Sequence, residues 1–493
     1  MRRLLLLFYK LLPSPVAQAL LPAGSRLVST LLVTSERASA RVPTRQTKSL
    51  RHGCLNALIS TIVLLVIAAS FVAFAAEPDW TALDKHAIEF LQTYVRLPCI
   101  SPPSNTLPCA QLLASELEKN GLKPKLFTSG PTGQTNLVVR LKGSDPSKRP
   151  ILLLNHLDVV PVDPKAWNVD PFGAVIRDGI IWGRGTLDMK GIGTQQLMAL
   201  IALHNSGIVP SRDIIMISTA DEEMGGERGI RWMIANHYDE IDAEYVLDEG
   251  GMGTRNALAP NKLVFGISVG DKIVFWLRLR AHGTAGHGSQ PIPDNANMTL
   301  LRAIEKAMAL PEGGKQNPVV AEMQRTIGEP LVVNKFTAAI QRNTISLTTL
   351  TSGVGSPPRA NVIPSTAEAS LDCRLLPGTN AEEFISEMKA RINDPRVSIE
   401  IISQAPDVAM SPTDTPLYRA MRDAFLKHHP GALVTPMIVP FGTDSAFLQQ
   451  RGMIAYGFTP MVIDARPPPP CTATRSASRS PNSLRVSTFF TMF

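Results

Sequence analysis

Three short apolar stretches in this chain each stop on imidazole or carboxylate groups: 151–158 (ILLLNHLD), 213–223 (DIIMISTADEE) and 245–251 (YVLDEGG). A run of aliphatic residues without polar alternation reads as a strand buried on both faces, which implies a parallel sheet covered by helices. In such sheets ligands collect outside the carboxyl ends of the strands. Tips carrying His156, Asp158, Glu222, Glu223, Asp248 and Glu249 therefore predict one shared polar edge, and they point to an α/β fold before any other region is read.

The flanking sequence agrees. Residues 87–95, 110–120 and 198–203 carry helical spacing, with Gly121 closing the second and 205–207 stopping the third, while 136–141 adds a strand. Beyond Gly270 the character changes. Phe275, Leu277 and Leu279 alternate with Trp276, Arg278 and Arg280, the pattern of a half-buried antiparallel strand. Strand 272–280, helix 298–310, strands 344–350 and 367–375, helix 381–392 and strand 397–402 make a βαββαβ order, the ferredoxin-like arrangement. A helix over 416–425 and a strand near 454–458 then resume the first pattern. The expected fold is α/β: a mostly parallel-sheet domain at 80–269 and 404–464, interrupted at 270–403 by an inserted ferredoxin-like α+β domain.

Net charge hints at nucleic acid until it is located. Residues 1–53 carry +8 and 465–493 carry +4, which leaves −5 on the 54–464 body out of a total of +7. No basic patch interleaved with aromatics remains there, so nucleic acid is not an expected partner. The 22 uncharged residues 55–76 match the roughly 20 needed to cross a bilayer. Arg41, Arg45, Lys48 and Arg51 just before them predict an exported body. We expect 54–76 to be a transmembrane anchor, which would make the membrane a partner, or a signal segment cut near the small-x-small sequence 73–75. Residues 1–53 read as a disordered or mis-annotated leader. The expected location is outside the cytoplasm, anchored, periplasmic or extracellular. Of five cysteines, none shows metal-binding spacing; Cys99 and Cys109 are near enough to pair in an exported chain, or to stay reduced.

Between the first two strand tips lies 183–191 (GRGTLDMKG). Its glycines suggest a phosphate loop, but the spacing is wrong and Asp188 would repel phosphate. An acid there suits a metal, and its two oxygens can bridge two cations. Glu222 and Glu223 are adjacent and need not play the same part, since one can hold metal while the other serves as general base.

In this order and spacing, HLDVVP (156–161), GRGTLDMKG (183–191), DEEMGG (221–226) and LDEGG (247–251) resemble the di-zinc metallopeptidase family of aminoacylases, carboxypeptidase S and succinyl-diaminopimelate desuccinylase. The resemblance implies two zinc ions. His156 and Asp248 would hold one, with Glu249 as the alternative to Asp248; Asp188 would bridge; Glu223 would hold the other. It also implies that Asp158 orients His156, that Glu222 is the general base, and that His287 in 286–289 (GHGS) supports the oxyanion, in dimeric members across the subunit boundary. Asn361 in NVIP, Arg374 in LDCRLLPG and Gly442 in 441–445 (FGTDS) match substrate-contacting positions. The implied activity is zinc-dependent hydrolysis of an amide bond in a peptide or N-acyl amino acid with a free carboxylate, by a homodimer joined through the inserted domain.

One departure stands out. The family pattern requires a further zinc-binding His shortly after the strand near 454–458, and none is present; the 465–493 tail is rich in Pro, Ser and Arg and holds no acid. A reading-frame shift near Ala465 is our explanation, because back-translating the tail one base earlier yields a His in an acidic setting followed by an amphipathic pattern. If the tail is genuine, a catalytically impaired, zinc-poor binding protein is the alternative function.

Overall fold

The computed structural model describes residues 79–309, 317–464 and 483–485. With every residue of Ile151–His156 buried, this strand has no face for solvent and lies inside a ten-stranded sheet. In chain order the strands of that sheet are β1 (Lys125–Thr128), β2 (Thr135–Leu141), β3 (Ile151–His156), β6 (Ile214–Thr219), β7 (Tyr245–Asp248), β8 (Met252–Arg255), β9 (Leu263–Asp271), β16 (Leu433–Val439), β17 (Ile454–Gly457) and β18 (Val462–Asp464). A hairpin of β4 (Val175–Arg177) and β5 (Ile180–Trp182) lies between β3 and β6 in the chain. Across the sheet the order is β1-β2-β6-β3-β7-β17-β9-β8-β18, with β16 beside β9. Strands β6, β3, β7 and β17 run parallel, so their carboxyl ends share one edge.

Helices cover the sheet. Asp79 caps α1 (Trp80–Val95) by accepting hydrogen bonds from the amides of Thr81 and Ala82, which starts the helix seven residues earlier than its apolar spacing suggested. Beside it are α2 (Leu107–Lys119) and α3 (Lys190–Asn205). Every position of α3 from Lys190 to Leu203 is buried, as expected for a helix that is apolar on all sides.

The smaller unit has the expected βαββαβ order. Strands β10 (Ile273–His282), β12 (Thr344–Ser352), β14 (Thr366–Leu375) and β15 (Val397–Gln404) pair antiparallel in the order β12-β14-β10-β15. Helices α4 (Ala296–Met308) and α7 (Ala381–Ile392) close one face around Phe275, Leu277, Leu279, Leu371 and Cys373. The opposite face is open.

Part of the 270–403 range packs outside the small unit. Helices α5 (Pro318–Ile327) and α6 (Lys335–Ala339) lie inside that range, yet Val319, Val320, Met323, Ile327, Leu331 and Ile340 pack into the core of the larger unit with Ile438 and Val439. The apolar stripe of α5 fits beside β16, so the chain leaves the small unit, fills a gap in the large one and returns. A further helix, α8 (Pro416–His428), precedes β16.

The transmembrane expectation is corrected: among the described residues no helix is long and apolar enough to cross a membrane. The 54–76 segment itself, the 1–53 leader and most of the 465–493 tail lie outside the described residues. Cys99 and Cys109 form a disulfide.

Candidate metal centre and its cavity

The site is built on the middle of the sheet. His156 ends β3, only 2 % exposed, and the neighbouring tips flank it on both sides because β6 and β7 are the two partners of its strand. His156 Nδ1 meets the Asp158 carbonyl at 3.0 Å and an Asp158 carboxylate oxygen at 3.5 Å. The same carboxylate accepts the Glu222 amide at 3.2 Å, tying the first tip to the second.

The other imidazole nitrogen faces acids. His156 Nε2 lies 3.0 Å from Asp188, 3.8 Å from Glu249 and 4.0 Å from Glu222. Two convergent groups share it: His156, Asp188 and Glu223, and His156, Glu222 and Glu249, with the donor atoms of each group within 4.8 Å of one another. Asp188 arrives on the turn before α3. That turn needs glycine twice: Gly185 has φ +86°, and a Cβ on Gly191 would sit 2.2 Å from the Thr186 carbonyl oxygen.

Of the two adjacent acids at the end of β7, the structure turns Glu249 toward His156 and Asp248 away from it. Asp248 accepts a hydrogen bond from Ser445 at 2.7 Å and belongs to neither convergent group. Strand alternation explains the split, since consecutive side chains point to opposite sides of the strand.

Charge is poorly balanced here. Burial, reinforced by neighbouring carboxylates, raises Glu222 and Glu249 well above the usual carboxylate range and Glu223 to about 7. Burial disfavours a charged His156 ring, but the Asp158 and Asp188 carboxylates outweigh it and raise the imidazole well above its ordinary value. Burial alone would raise Asp188; its hydrogen bond from His156 and the charge of Arg184 hold it down instead. A crowd of carboxylates around one imidazole, with one Asp158 oxygen buried and without a hydrogen-bond partner, is a donor set that a divalent cation satisfies. Imidazole and carboxylate are both zinc ligands, and the residues fit that ion.

The cluster opens on a cavity of about 470 Å³ between the two sheets. Asp188, Glu222, Glu223 and Glu249 form one wall, and Leu187, Met252, Ile273, Trp276, Phe441 and Met461 are among its apolar lining. Gly442 lines it too, with room for nothing larger, because a Cβ would meet Val274 at 2.6 Å. Arg374 reaches the cavity while bonded in a fork to Asp372, at 2.7 and 3.1 Å, and Trp276 donates to the same carboxylate. His287 on β11 (Gly286–His287) and Asn361 just before its partner strand β13 (Val362–Ile363) are brought together, 3.5 Å apart, but both are exposed and neither lines the cavity.

Sequence reasoning passed over three groups. Asp271, raised to about 7 by burial, accepts from Thr443 at 2.6 Å in the cavity wall. Lys272 beside it donates to the carbonyls of Ala339 and Arg342. Lys190 is fully buried, which pushes its ammonium down to about 7 against the pull of Asp158. A lone Lys heading an otherwise uncharged 16-residue helix was the available signal for the last.

Comparison with known proteins places this geometry. Residues 152–469 match the model of peptidase family M20/M25/M40. The N-fatty-acyl-amino acid synthase/hydrolase of Homo sapiens is 30 % identical over 351 residues, covering 66 % of this chain and 69 % of that protein. Aminoacylase-1A of Rattus norvegicus is 28 % identical over 381 residues, covering 76 % and 87 %. An M20 family metallo-carboxypeptidase from Sulfolobus solfataricus shares the fold at a TM-score of 0.61 and 18 % identity, over 82 % of this chain and 96 % of that one.

Proposed function

Because the chain belongs to peptidase family M20/M25/M40 and is a hydrolase of the metallopeptidase type, we propose that it cleaves the amide bond of N-acyl amino acids, or of peptides, that end in a free carboxylate. The observation that carries this reading is the carboxylate cluster around His156 opening on an apolar-walled cavity beside Arg374. The family is zinc-dependent. We assign His156, Asp188, Glu223 and Glu249 to the zinc site; Asp188 and Glu223 converge with His156 in one group and Glu249 in the other, so one imidazole serves both. Bound zinc would polarise the scissile carbonyl and make water acidic enough to attack at neutral pH.

The chain's own groups do the rest. Glu222, raised by burial, takes the proton of the attacking water and returns it to the leaving amine. Asp158 holds the His156 ring through Nδ1. Arg374 presents a guanidinium to the substrate carboxylate, and its fork to Asp372 fixes the direction. The apolar cavity suits an acyl group, in keeping with the N-fatty-acyl relative.

His287 completes the site from a second copy in this reading, which is supported by its distance from the cavity and by the edge beside it. Strand β12 is an outer strand, TISLTTLTS, with no charge to block pairing, and Leu347 and Leu350 are exposed on it. Helix α4 adds exposed Met298, Leu301 and Met308. The reading extends to an exported, oxidising compartment, supported by the Cys99–Cys109 disulfide.

A second reading, a zinc-poor binding protein, is favoured by the lack of any His after His429. Zinc content and hydrolysis of a panel of N-acyl amino acids of graded chain length and of dipeptides separate the two. We expect zinc-dependent turnover that a chelator abolishes; no turnover with zinc bound sinks the hydrolase.

A further inference from the structure

Lys190 stands two residues after Asp188, and its side chain runs back under the Asp188 turn to the end of α1. There its ammonium donates to the carbonyls of Tyr94, at 3.2 Å, and Leu97, and lies 4.9 Å from the centroid of the Tyr94 ring. Its main-chain amide closes the turn by donating to Gly185 at 2.8 Å. With 0 % exposure it has no water to turn to, so these carbonyls hold the charge.

The carbonyl of Leu97 belongs to a short stretch, 97–101, that grips the site a second time. The Val159 amide donates to the Cys99 carbonyl at 3.1 Å, and the Ser101 amide donates to the Val159 carbonyl at 2.9 Å. Val159 follows Asp158, whose carbonyl holds His156 Nδ1. Five residues therefore brace both the Asp188 turn, through Lys190, and the His156–Asp158 turn, through Val159. The stretch is not helical, and its sheet pairing is the single bridge between Ile100 and Val159. Beyond these main-chain bonds, the covalent tie of the stretch to the body is the disulfide from Cys99 to Cys109 in α2, both cysteines being buried.

We propose that Lys190 is a positioning residue for Asp188 and that the Cys99–Cys109 disulfide sets its grip, so that zinc affinity follows the redox state of this cysteine pair. This rests on the zinc reading of the cluster. Reduction by a dithiol transfers two electrons and two protons: the Cys99–Cys109 bond breaks, two thiols form, and the dithiol becomes its own disulfide. The 97–101 stretch is then tied only by its loop contacts, and the Leu97 carbonyl loses its fixed position while the Tyr94 carbonyl stays on α1. Supports behind a metal ligand are worth about 10–100-fold in metal affinity.

The test is zinc affinity of the full chain, read by competition with a chromophoric chelator. It compares the oxidised protein, the same protein reduced with a dithiol and desalted, Cys99→Ser with Cys109→Ser, Lys190→Met, and the triple variant. The serine pair removes thiols that would themselves bind zinc, and the reduced wild type needs no variant to fold. We expect affinity to fall about tenfold or more on reduction and in the serine pair and Lys190→Met, with unchanged far-ultraviolet circular dichroism and with turnover restored by excess zinc. The triple variant should be little weaker than either alone, since both changes act through Leu97. Unchanged affinity in the reduced protein and the serine pair, or losses that multiply in the triple variant, overturns the proposal. If the oxidised wild type binds no zinc at all, the zinc reading fails instead.

Discussion

At the residue scale, the two acids of one tip have separate roles. In the proposed reading Glu222 would carry the proton, while His156, Asp188, Glu223 and Glu249 would hold the metal. Glu222→Gln keeps the shape and removes the base, so turnover should drop by about 10²–10⁴-fold while zinc content stays at the wild-type level. Steady-state rates together with elemental analysis check this, and loss of zinc along with activity would reassign Glu222 to the metal. The sequence carried most of this set because its members sit at the ends of apolar runs. It left Asp248 and Glu249 undecided, since which of two consecutive carboxylates faces the site depends on the residue at which β7 ends. Asp271 and Lys272 were out of reach for a different reason: their neighbours Thr443 and Ala339 are distant in the chain, and only the crossing between sheets brings them close.

At the element scale, Asp213 shows how strand ends are fastened. Standing just before β6, it accepts from the Gly143 amide at 2.8 Å, Lys142 at 2.9 Å and Arg140 at 3.0 Å, which clamps the end of β2 to the start of β6. Burial raises its pKa somewhat, but these donors win and hold the carboxyl below its ordinary range. A depressed folded value means that the stabilisation is fully present above the unfolded value near 3.9 and is lost as pH falls through the folded one. Urea unfolding should therefore show wild type losing its advantage over Asp213→Asn as pH falls below about 4, with about 1–3 kcal/mol separating them at pH 6. Equal midpoints at pH 6 would refute the clamp. Strands β3, β6 and β7 were legible because each is an unbroken apolar run. Strands β9 and β16 were not: Gly266 and Gly270 interrupt the first, and Pro436 argues against the second. The proline is tolerated because β16 pairs on one side only, with β9, where Gly266 makes room for Met437.

At the scale of the whole molecule, His287 and Asn361 of one protomer stand outside the cavity lining. If His287 acts across a dimer, mixing two inactive variants should restore activity. His287→Ala keeps the cluster, Glu222→Gln keeps the imidazole, and random pairing gives one competent site in half of the dimers. The mixture should recover roughly a quarter of wild-type turnover. Recovery that stays at zero, with mixed dimers demonstrated by native mass spectrometry, places His287 outside the reaction. The βαββαβ order of the small unit was legible from alternation alone. The return of α5 and α6 to the large core was not, because an amphipathic helix does not say which of two cores its apolar stripe will join.

The position of β17 governs how the chain must be made. Residues 454–457 lie between β7 and β9, in the interior of the large sheet, although they come near the end of the chain. A ribosome adding about 5–20 residues each second leaves β7 and β9 with unpaired inner edges for tens of seconds after they emerge. The small antiparallel unit, whose strands all lie between residues 273 and 404, has no such wait. Synthesis thus finishes the small unit first and the large sheet last, and a chain stalled before β17 displays two open strand edges to any chaperone or neighbouring nascent chain.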